Sequence, residues 1–206
     1  MNAAASRIDN VVPLASPRRA ATRARICDAA NDLFFEHGFA GVTMEEVAQA
    51  VGIRRSTLYL HFRDKEEILA AIARDYTAKL RPVIARLPGP APSRAEIAAW
   101  VDEMAHFVMR ERAATELLVS LSHLPKAPTA ALEFGAEYKQ LMASRLAVFR
   151  RALEPGEATA FARAMAAVDG LGWALCHHAR AGGDAVSKAR LAVAADGLAR
   201  LVRGGK

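Results

Sequence analysis

A cluster of hydrogen-bonding side chains lies between residues 54 and 61 of this 206-residue chain. Its members carry guanidinium, hydroxyl or imidazole groups, and they are Arg54, Arg55, Ser56, Thr57, Tyr59 and His61. A guanidinium group can donate two parallel hydrogen bonds to guanine, while hydroxyl groups bond to bases or to phosphates. Because an α-helix fits into the major groove of duplex DNA, these side chains on one short helix predict a DNA-binding element.

The flanking residues supply the two helices and the turn that would hold this cluster in place. Residues 43–46 have the pattern of a capping box, which predicts a helix from Thr43 to about Ala50. Gly52 permits a tight turn before a second helix over about 54–62, and such a pair defines a helix-turn-helix. The predicted shared core is apolar and consists of Val47, Ala48, Ile53, Leu58 and Phe62. A corner between two helices of an unrelated helical protein has the same spacing, so the pattern alone leaves that alternative open.

The charge of the chain permits a nucleic-acid partner but does not identify one. The net charge is +6 overall, yet residues 18–65 contain eight basic and six acidic side chains, a net charge of only +2. Binding to DNA must therefore depend on where the cations lie. Four arginines open the chain's first helix: Arg18, Arg19, Arg23 and Arg25. They fit phosphate or minor-groove contacts, and they fit a solvent-exposed basic helix start equally well.

The rest of the chain predicts an all-α fold of about nine helices. Alanine, leucine and arginine dominate after residue 17, and alternating β-branched runs are absent from the sequence. The expected helices cover about 18–37, 43–50, 54–62, 65–81, 94–111, 115–123, 129–153, 157–181 and 184–203. Pro82 is expected to kink or end the fourth helix. We divide the chain into a disordered arm (1–17), a helix-turn-helix domain (18–65) and a larger helical domain (66–206).

Several classes of function are not supported by the sequence. We find no nucleophile elbow, phosphate-binding loop or paired catalytic carboxylates, and no stretch approaches the ~18 apolar residues of a membrane span. No histidine pair has the i, i+4 spacing of a helical metal site. Cys27 and Cys176 are expected to be ordinary buried thiols, with a redox role left open. We therefore expect a cytoplasmic, non-enzymatic protein with no metal, no cofactor and no membrane contact.

One segment closely resembles the N-terminal signature of TetR-like (tetracycline repressor, TetR/AcrR) bacterial regulators. The residues that carry the resemblance are Thr43, Val47, Ala48, Gly52, Ile53, Thr57, Leu58, Tyr59, Phe62, Lys65, Glu66 and Ile68. The motif covers about residues 26–69, whereas the remaining chain is similar only in length, helix number and helix order. The resemblance implies phosphate contacts from Thr43, Tyr59, His61 and Lys65, with His61 also able to touch a base. It implies base contacts from Arg54, Arg55, Ser56 and Thr57.

The sequence departs from the family pattern at two positions. Residue 54 is usually a serine or threonine that caps the helix, and here it is Arg54; residue 56 is often glycine, and here it is Ser56. Losing a helix cap costs ~1 kcal/mol, and a cation at the positive end of a helix is mildly unfavourable. We therefore expect Arg54 to contribute to DNA binding rather than to stability.

The resemblance also implies an effector pocket in the larger domain. Candidate lining residues are the aromatic, methionine and leucine side chains Trp100, Met104, Phe107, Leu118, Phe134, Tyr138, Met142 and Trp173. At helical spacing these residues fit an ordinary core equally well. Asp169 either faces the pocket or caps a partner helix, and the sequence does not decide between them.

Two long apolar faces near the C-terminus predict a homodimer. They are formed by Phe161, Met165, Val168 and Leu175, and by Leu191, Leu198 and Leu201. Pairing across a two-fold axis would bury both faces in a four-helix bundle. The expected function is a homodimeric repressor that binds a palindromic double-stranded operator and is released by a small apolar or amphipathic effector. The alternative is a DNA-bound interaction or architectural protein controlled by a protein partner; a large cavity favours the first and a filled core the second.

Overall fold

The structure is a computed structural model that describes residues 17–204, which all fall in helices or the short segments between them. The ten helices are α1 (Pro17–His37), α2 (Met44–Val51), α3 (Arg55–Tyr59), α4 (Lys65–Ala85), α5 (Arg94–Arg110), α6 (Arg112–Ser122), α7 (Thr129–Arg145), α8 (Ala147–Ala152), α9 (Ala158–Arg180) and α10 (Ala185–Gly204). The predicted all-α class is confirmed, with one helix more than expected. The predicted disordered arm, apart from residue 17, lies outside the described residues.

The first three helices form the helix-turn-helix unit, and α1 covers its core. Ile26 and Phe34 of α1 are buried, as are Val47 of α2 and Leu58 of α3. The predicted capping box is present, because Thr43 accepts from the Glu46 amide and the Glu46 carboxylate accepts from the Thr43 amide. Gly52 has a φ of 73°, the left-handed conformation that the turn into α3 needs.

Helix α4 joins the helix-turn-helix unit to the larger set of helices, and it is longer than the sequence predicted. Pro82 was expected to kink or end this helix, and the expected end is wrong, since α4 continues through Pro82 to Ala85. A proline inside a helix costs ~3 kcal/mol, but full burial of one large aliphatic side chain contributes ~1.5–3 kcal/mol. Val83 and Ile84 are both buried, and the Trp100 indole also donates to the Val83 carbonyl at 3.0 Å. These contacts offset the proline.

The predicted helix over 129–153 is divided in two, and packing explains the division. Leu146 is fully buried in an extended conformation (φ −114°, ψ 123°) between α7 and α8. The Arg145 guanidinium donates two hydrogen bonds, of 2.9 and 2.7 Å, to the Leu87 carbonyl. Gly89 passes against the backbone of Arg145, where an added Cβ would lie 2.4 Å from the carbonyl oxygen. The proline-rich loop, which is distant in sequence, therefore determines where α7 ends and α8 begins through its contacts with Arg145.

The larger set of helices packs around α9. Helices α8 and α10 flank α9, α5 crosses it, and α7 lies along α4. Helix α1 also packs against α6, so contacts other than α4 connect the two predicted domains. The boundary at residue 65 remains a prediction. Among helices in the described range, none is both long enough and apolar enough to cross a membrane.

Candidate nucleic-acid interface and internal cavity

Helix α3 has one exposed polar face and one buried apolar face. Leu58 anchors the helix in the core, while Arg54, Arg55 and Ser56 are exposed and Thr57 is half-buried. Arg54 is the N-cap, with extended backbone and no side-chain hydrogen bond to the helix. The predicted loss of the cap is therefore seen in the structure. Because the Arg54 side chain makes no capping hydrogen bond to α3, its guanidinium is available to bind a partner.

Arg55 is held by its neighbours on α2 and α3. Its guanidinium lies 3.7 Å from the Glu45 carboxylate and 3.4 Å from the Tyr59 hydroxyl. It also lies 5.5 Å from the centroid of the Tyr59 ring, and Tyr59 is 43% exposed. These exposed contacts are each weak, so a guanine or phosphate could replace them. The arrangement orients Arg55 and Tyr59 side by side on the exposed face of α3.

Two residues that are predicted to contact phosphates, Thr43 and Lys65, also make contacts within the chain. The Thr43 amide and hydroxyl both donate to the Glu46 carboxylate, at 2.7 and 2.8 Å. The Lys65 ammonium donates to the carbonyls of Phe39, Ala40 and Val42 at 2.8, 3.0 and 3.1 Å. All three of its donors are used, because an ammonium has three N–H bonds. Lys65 therefore ties the start of α4 to the segment between α1 and α2.

Three of the four arginines at the start of α1 donate hydrogen bonds to main-chain carbonyls of the helix-turn-helix. Arg19 donates to the Leu60 carbonyl at 3.2 Å, and Arg25 donates to the Val51 carbonyl at 2.9 Å. Arg23 donates to the His61 carbonyl, and its guanidinium lies 3.9 Å from the centroid of the Phe62 ring. These contacts satisfy carbonyls at the ends of α2 and α3. Arg18 is exposed at the first turn of α1.

His61 is half-buried beside this arginine cluster. Its Nδ1 is buried with no hydrogen-bond partner among the described residues. Burial lowers the pKa of His61, and the positive charges of Arg19 and Arg23 lower it further. The imidazole is therefore neutral at pH 7, and its role toward DNA remains a prediction.

A cavity of about 350 Å³ lies between α4, α5, α6, α7 and α9. Of the eight predicted pocket residues, three line it: Met104, Phe134 and Tyr138. The other five do not. Phe107, Leu118 and Met142 belong to the buried core, as does Trp100, while Trp173 is 48% exposed. Residue type alone could not distinguish cavity-lining side chains from core side chains, because aromatic residues and methionines occur in both apolar environments.

The α9 face that predicted a dimer contact instead borders the cavity. Phe161, Met165, Val168 and Leu175 all line it. Leu191 and Leu198 of α10 are buried within the protomer, and Leu201 is half-buried. Phe161 is nevertheless 40% exposed, and Met165 and Val168 are half-buried, so the dimer contact through this face stays a prediction. The exposed large apolar side chains on these two helices are Phe161, Trp173, Val186 and Val193.

Asp169 lines the cavity, which agrees with one of the two roles that the sequence left open. Its carboxylate lies 3.2 Å from His123 Nε2, and His123 Nδ1 lies 2.7 Å from the Val119 carbonyl. A carbonyl and a carboxylate both accept hydrogen bonds, so both ring nitrogens suit a proton. The pKa of His123 is raised, first by the Val119 carbonyl and then by Asp169. The Trp173 ring packs against His123 at a centroid distance of 5.7 Å.

The cavity also contains residues that sequence analysis missed, notably Tyr76, Lys139 and Gly172. Gly172 lies where α6 approaches α9, and an added Cβ there would be at ordinary contact distance, 3.9 Å, from Val119. No periodicity argument finds Tyr76 or Lys139, since they come from different helices.

Helix α6 connects the cavity to the helix-turn-helix unit. Thr115 lines the cavity and lies 2.9 Å from the Tyr76 hydroxyl on α4. Next to it, the buried Glu116 carboxylate accepts from Arg112 at 3.0 Å and from Arg180 of α9 at 2.5 Å. Arg112 also lies 5.4 Å from the centroid of the Phe35 ring in α1. A movement of the cavity wall can therefore reach α1 through α6 as well as through α4.

Of the two cysteines, Cys176 is buried as expected, whereas Cys27 is half-buried. Burial raises the pKa of Cys27 to about 11 and that of Cys176 to about 11. Because the thiolate is the reactive form, these raised pKa values disfavour a redox role.

Taken with its fold, the site defines an all-α helix-turn-helix protein with a separate cavity. Residues 26–72 match the family model described as "Bacterial regulatory proteins, tetR family". The chain is similar to the HTH-type transcriptional repressor Rv1474c of Mycobacterium tuberculosis, with 37% identity over 67 residues. That match covers 32% of this chain and 36% of the relative. The matched segments thus span about a third of the curated relatives.

Two solved structures extend the similarity beyond the helix-turn-helix. A TetR-like transcriptional regulator from Rhodococcus sp. RHA1 matches with a TM-score of 0.63 and 21% identity, over 90% of this chain and 96% of that chain. The TetR-family repressor FadR of Thermus thermophilus, in complex with lauroyl-CoA, matches with a TM-score of 0.54 and 22% identity, over 88% and 94% of the two chains. At these identities the likeness shows the fold. The predicted resemblance to TetR-like regulators is confirmed for residues 26–72, which match the family model.

Proposed function

We propose that this protein is a homodimeric transcriptional repressor that binds a palindromic DNA operator and is released by a small-molecule effector. The observation that carries the proposal is the exposed polar face of α3, with Arg54, Arg55, Ser56 and Tyr59 on a helix anchored by Leu58. A short helix with this face fits the major groove. The curated relatives that match this segment are named HTH-type transcriptional repressors or regulators.

Direct base contacts are assigned to Arg54, Arg55, Ser56 and Thr57, and phosphate contacts to Tyr59 and Arg18. Lys65, Thr43 and Arg19 support the geometry of the helix-turn-helix through the contacts described above. The charges of Lys65 and Arg19 and the dipole of Thr43 make the electrostatic potential near the DNA phosphates more positive, although these residues do not hydrogen-bond to a phosphate. His61 lies at the edge of this surface and contributes as a neutral imidazole.

Selection of bound sequences from random double-stranded DNA, followed by fluorescence anisotropy, tests the DNA-binding part. We expect an inverted repeat whose half-site centres lie about one helical turn (~34 Å) apart or a multiple of it. Affinity should fall steeply as salt rises, because bound cations release counterions from DNA. Recovery of no enriched sequence by the purified chain would contradict the proposal.

The effector part rests on the cavity and on its two routes to α1. Tyr76 and Leu80 of α4 line the cavity, and the same helix begins at the helix-turn-helix. A ligand that fits the cavity better in one domain arrangement than in another will shift the population of DNA-competent dimers. The Thermus thermophilus repressor of similar fold was solved in complex with lauroyl-CoA, which supports the proposal that this chain also binds a small-molecule effector. A DNA-bound protein controlled by a protein partner is the second candidate, and a filled core would have favoured it.

The homodimer is supported by the outer face of α9 and α10. We call this the outer face and define it by Ala166, Gly170, Trp173, Val186, Val193 and Gly197. Trp173, Val186 and Val193 are 48%, 58% and 67% exposed. Small residues beside them allow a second pair of helices to approach closely. An isologous contact there would set two α3 helices on one face of DNA.

A further inference from the structure

The charged groups that line the cavity are few, and one of them has no counter-ion. Among the described lining residues only Lys139, His123 and Asp169 can carry charge. Asp169 and His123 are paired with each other at 3.2 Å. No described carboxylate lies within the 4.0 Å limit of an ion pair from the Lys139 ammonium. Among the described residues, the Lys139 ammonium is therefore a charged group of the cavity that forms no ion pair.

The present contact of Lys139 is weak and lies at the opening of the cavity. Its ammonium lies 5.8 Å from the centroid of the Phe161 ring, across the gap between α7 and α9. Both residues line the cavity, and both are at least partly exposed. A cation over a ring at this distance is stabilised far less than a cation paired with an anion. An anion in the gap would therefore gain a strong contact and displace only a weak one.

The interior behind Lys139 is apolar and aromatic. Phe134, Met104 and Leu80 belong to its wall, together with the rings of Tyr76 and Tyr138. The Tyr76 hydroxyl is bonded to Thr115, whereas the Tyr138 hydroxyl has no hydrogen bond to a described residue. A volume of about 350 Å³ holds about 12 heavy atoms at the ~30 Å³ that one water occupies in the liquid.

From this arrangement we infer that the effector is a monoanionic amphipathic acid of about 12 heavy atoms, whose carboxylate pairs with Lys139 and whose apolar chain fills the cavity. The inference rests on the proposed function, because it takes this cavity as the effector site. An amine of the same shape is disfavoured, since it would bring a second cation to Lys139. A neutral alcohol would fill the same apolar space without the ion pair. The hydrogen-bonded pair of His123 and Asp169 remains intact.

Three ten-carbon probes that differ only in the polar end test the inference: decanoate, 1-decanol and decylamine. Each is titrated into the full-length protein without DNA, and binding is followed by calorimetry and by thermal shift. We expect decanoate to bind about tenfold more tightly than 1-decanol, with decylamine the weakest. Lys139→Gln should remove the preference for decanoate and leave 1-decanol within about twofold. Lys139→Arg should preserve it.

The exposed Lys188 of α10 gives a matched control, and Lys188→Gln should change none of the affinities. Decanoate binding that is no tighter than 1-decanol binding, or a preference that survives in Lys139→Gln, overturns the inference. Absence of binding by all three probes overturns it as well. Because DNA is absent from these titrations, a protein that binds decanoate through Lys139 but never binds DNA would contradict the proposed function alone.

Discussion

At the level of single residues, the side chains predicted to contact DNA fall into two groups: those already hydrogen-bonded within the chain and those available to a partner. Lys65 and Thr43 have their donors occupied within the chain. Arg54 lacks a bond to its own helix, although it stands at the cap position. This position lowers helix stability in return for a cation at the leading end of α3.

Replacing Arg54 by serine separates these two effects. Arg54→Ser should raise the free energy of unfolding by ~0.5–1 kcal/mol, because serine supplies the missing cap. It should weaken operator binding and relax selectivity at one base pair by ~1–3 kcal/mol, as expected for loss of an arginine–guanine contact. Urea unfolding and anisotropy titrations with single-base operator variants measure the two effects. Unchanged affinity and selectivity would show that Arg54 does not contact DNA.

The pairing of His123 with Asp169 predicts a measurable titration. Asp169→Asn should lower the pKa of His123, because the carboxylate is one of the causes that raise it. In the wild type, the stabilising contribution of this pair is fully present below the unfolded-state pKa and is lost as pH rises through the raised pKa of the folded state. Histidine NMR titration reports the shift. Asp102→Asn removes an exposed carboxylate elsewhere and should leave the His123 pKa unchanged.

At the scale of elements, long-range contacts fix where helices begin, end and divide. The Pro-rich loop determines the break at Leu146, and buried neighbours carry α4 through Pro82. Lys65 acts in the same way at the other end of α4. It joins three carbonyls between α1 and α2, so it sets the angle at which α4 leaves the helix-turn-helix.

Lys65→Met should destabilise the protein by ~1.5–3 kcal/mol, the range for hydrogen bonds to a charged group. The reason is that three carbonyls lose their shared donor at once. Urea unfolding measures the change, and Lys126→Met at an exposed position serves as the control. If stability is unchanged while the slope of log affinity against log salt eases by ~0.9, Lys65 is a phosphate contact after all.

At the scale of the whole molecule, the structure separates three surfaces: α3, the cavity, and the outer face. The cavity lies between α4 and α9, so it shares one helix with the DNA-binding unit and another with the outer face. Through Arg112 and Glu116, α6 also connects α9 to α1. For the proposed dimer, we therefore expect a ligand in the cavity to change both the angle of each helix-turn-helix and the spacing between the two copies.

Val193→Glu tests the outer face. Val193 is 67% exposed, so glutamate is tolerated in the isolated protomer but places a charge within an apolar contact. We expect sedimentation analysis to show a shift from dimer to a 22.1 kDa monomer, with operator affinity reduced by at least tenfold. Met109→Glu alters an exposed apolar residue on α5 and should leave the dimer intact. A Val193→Glu protein that remains dimeric would place the interface elsewhere.

The sequence by itself determined what depends on local chemistry. The capping box at Thr43, the turn at Gly52 and the apolar spacing of Val47 and Leu58 were enough to predict the helix-turn-helix, because each depends on residues a few positions apart. The uncapped Arg54 was predicted for the same reason.

Only the tertiary structure decided which apolar side chains face a cavity, a core or solvent. Met104 and Met142 are equally apolar and equally periodic, yet one lines the cavity and the other is core. The face of α9 that resembled a dimer contact borders the cavity, because α7 stands away from it. Likewise, the sequence pattern could not predict that the Lys65 ammonium donates to three main-chain carbonyls between α1 and α2. A side chain's partners depend on how distant helices pack, and a periodic pattern defines a face without defining what lies opposite it.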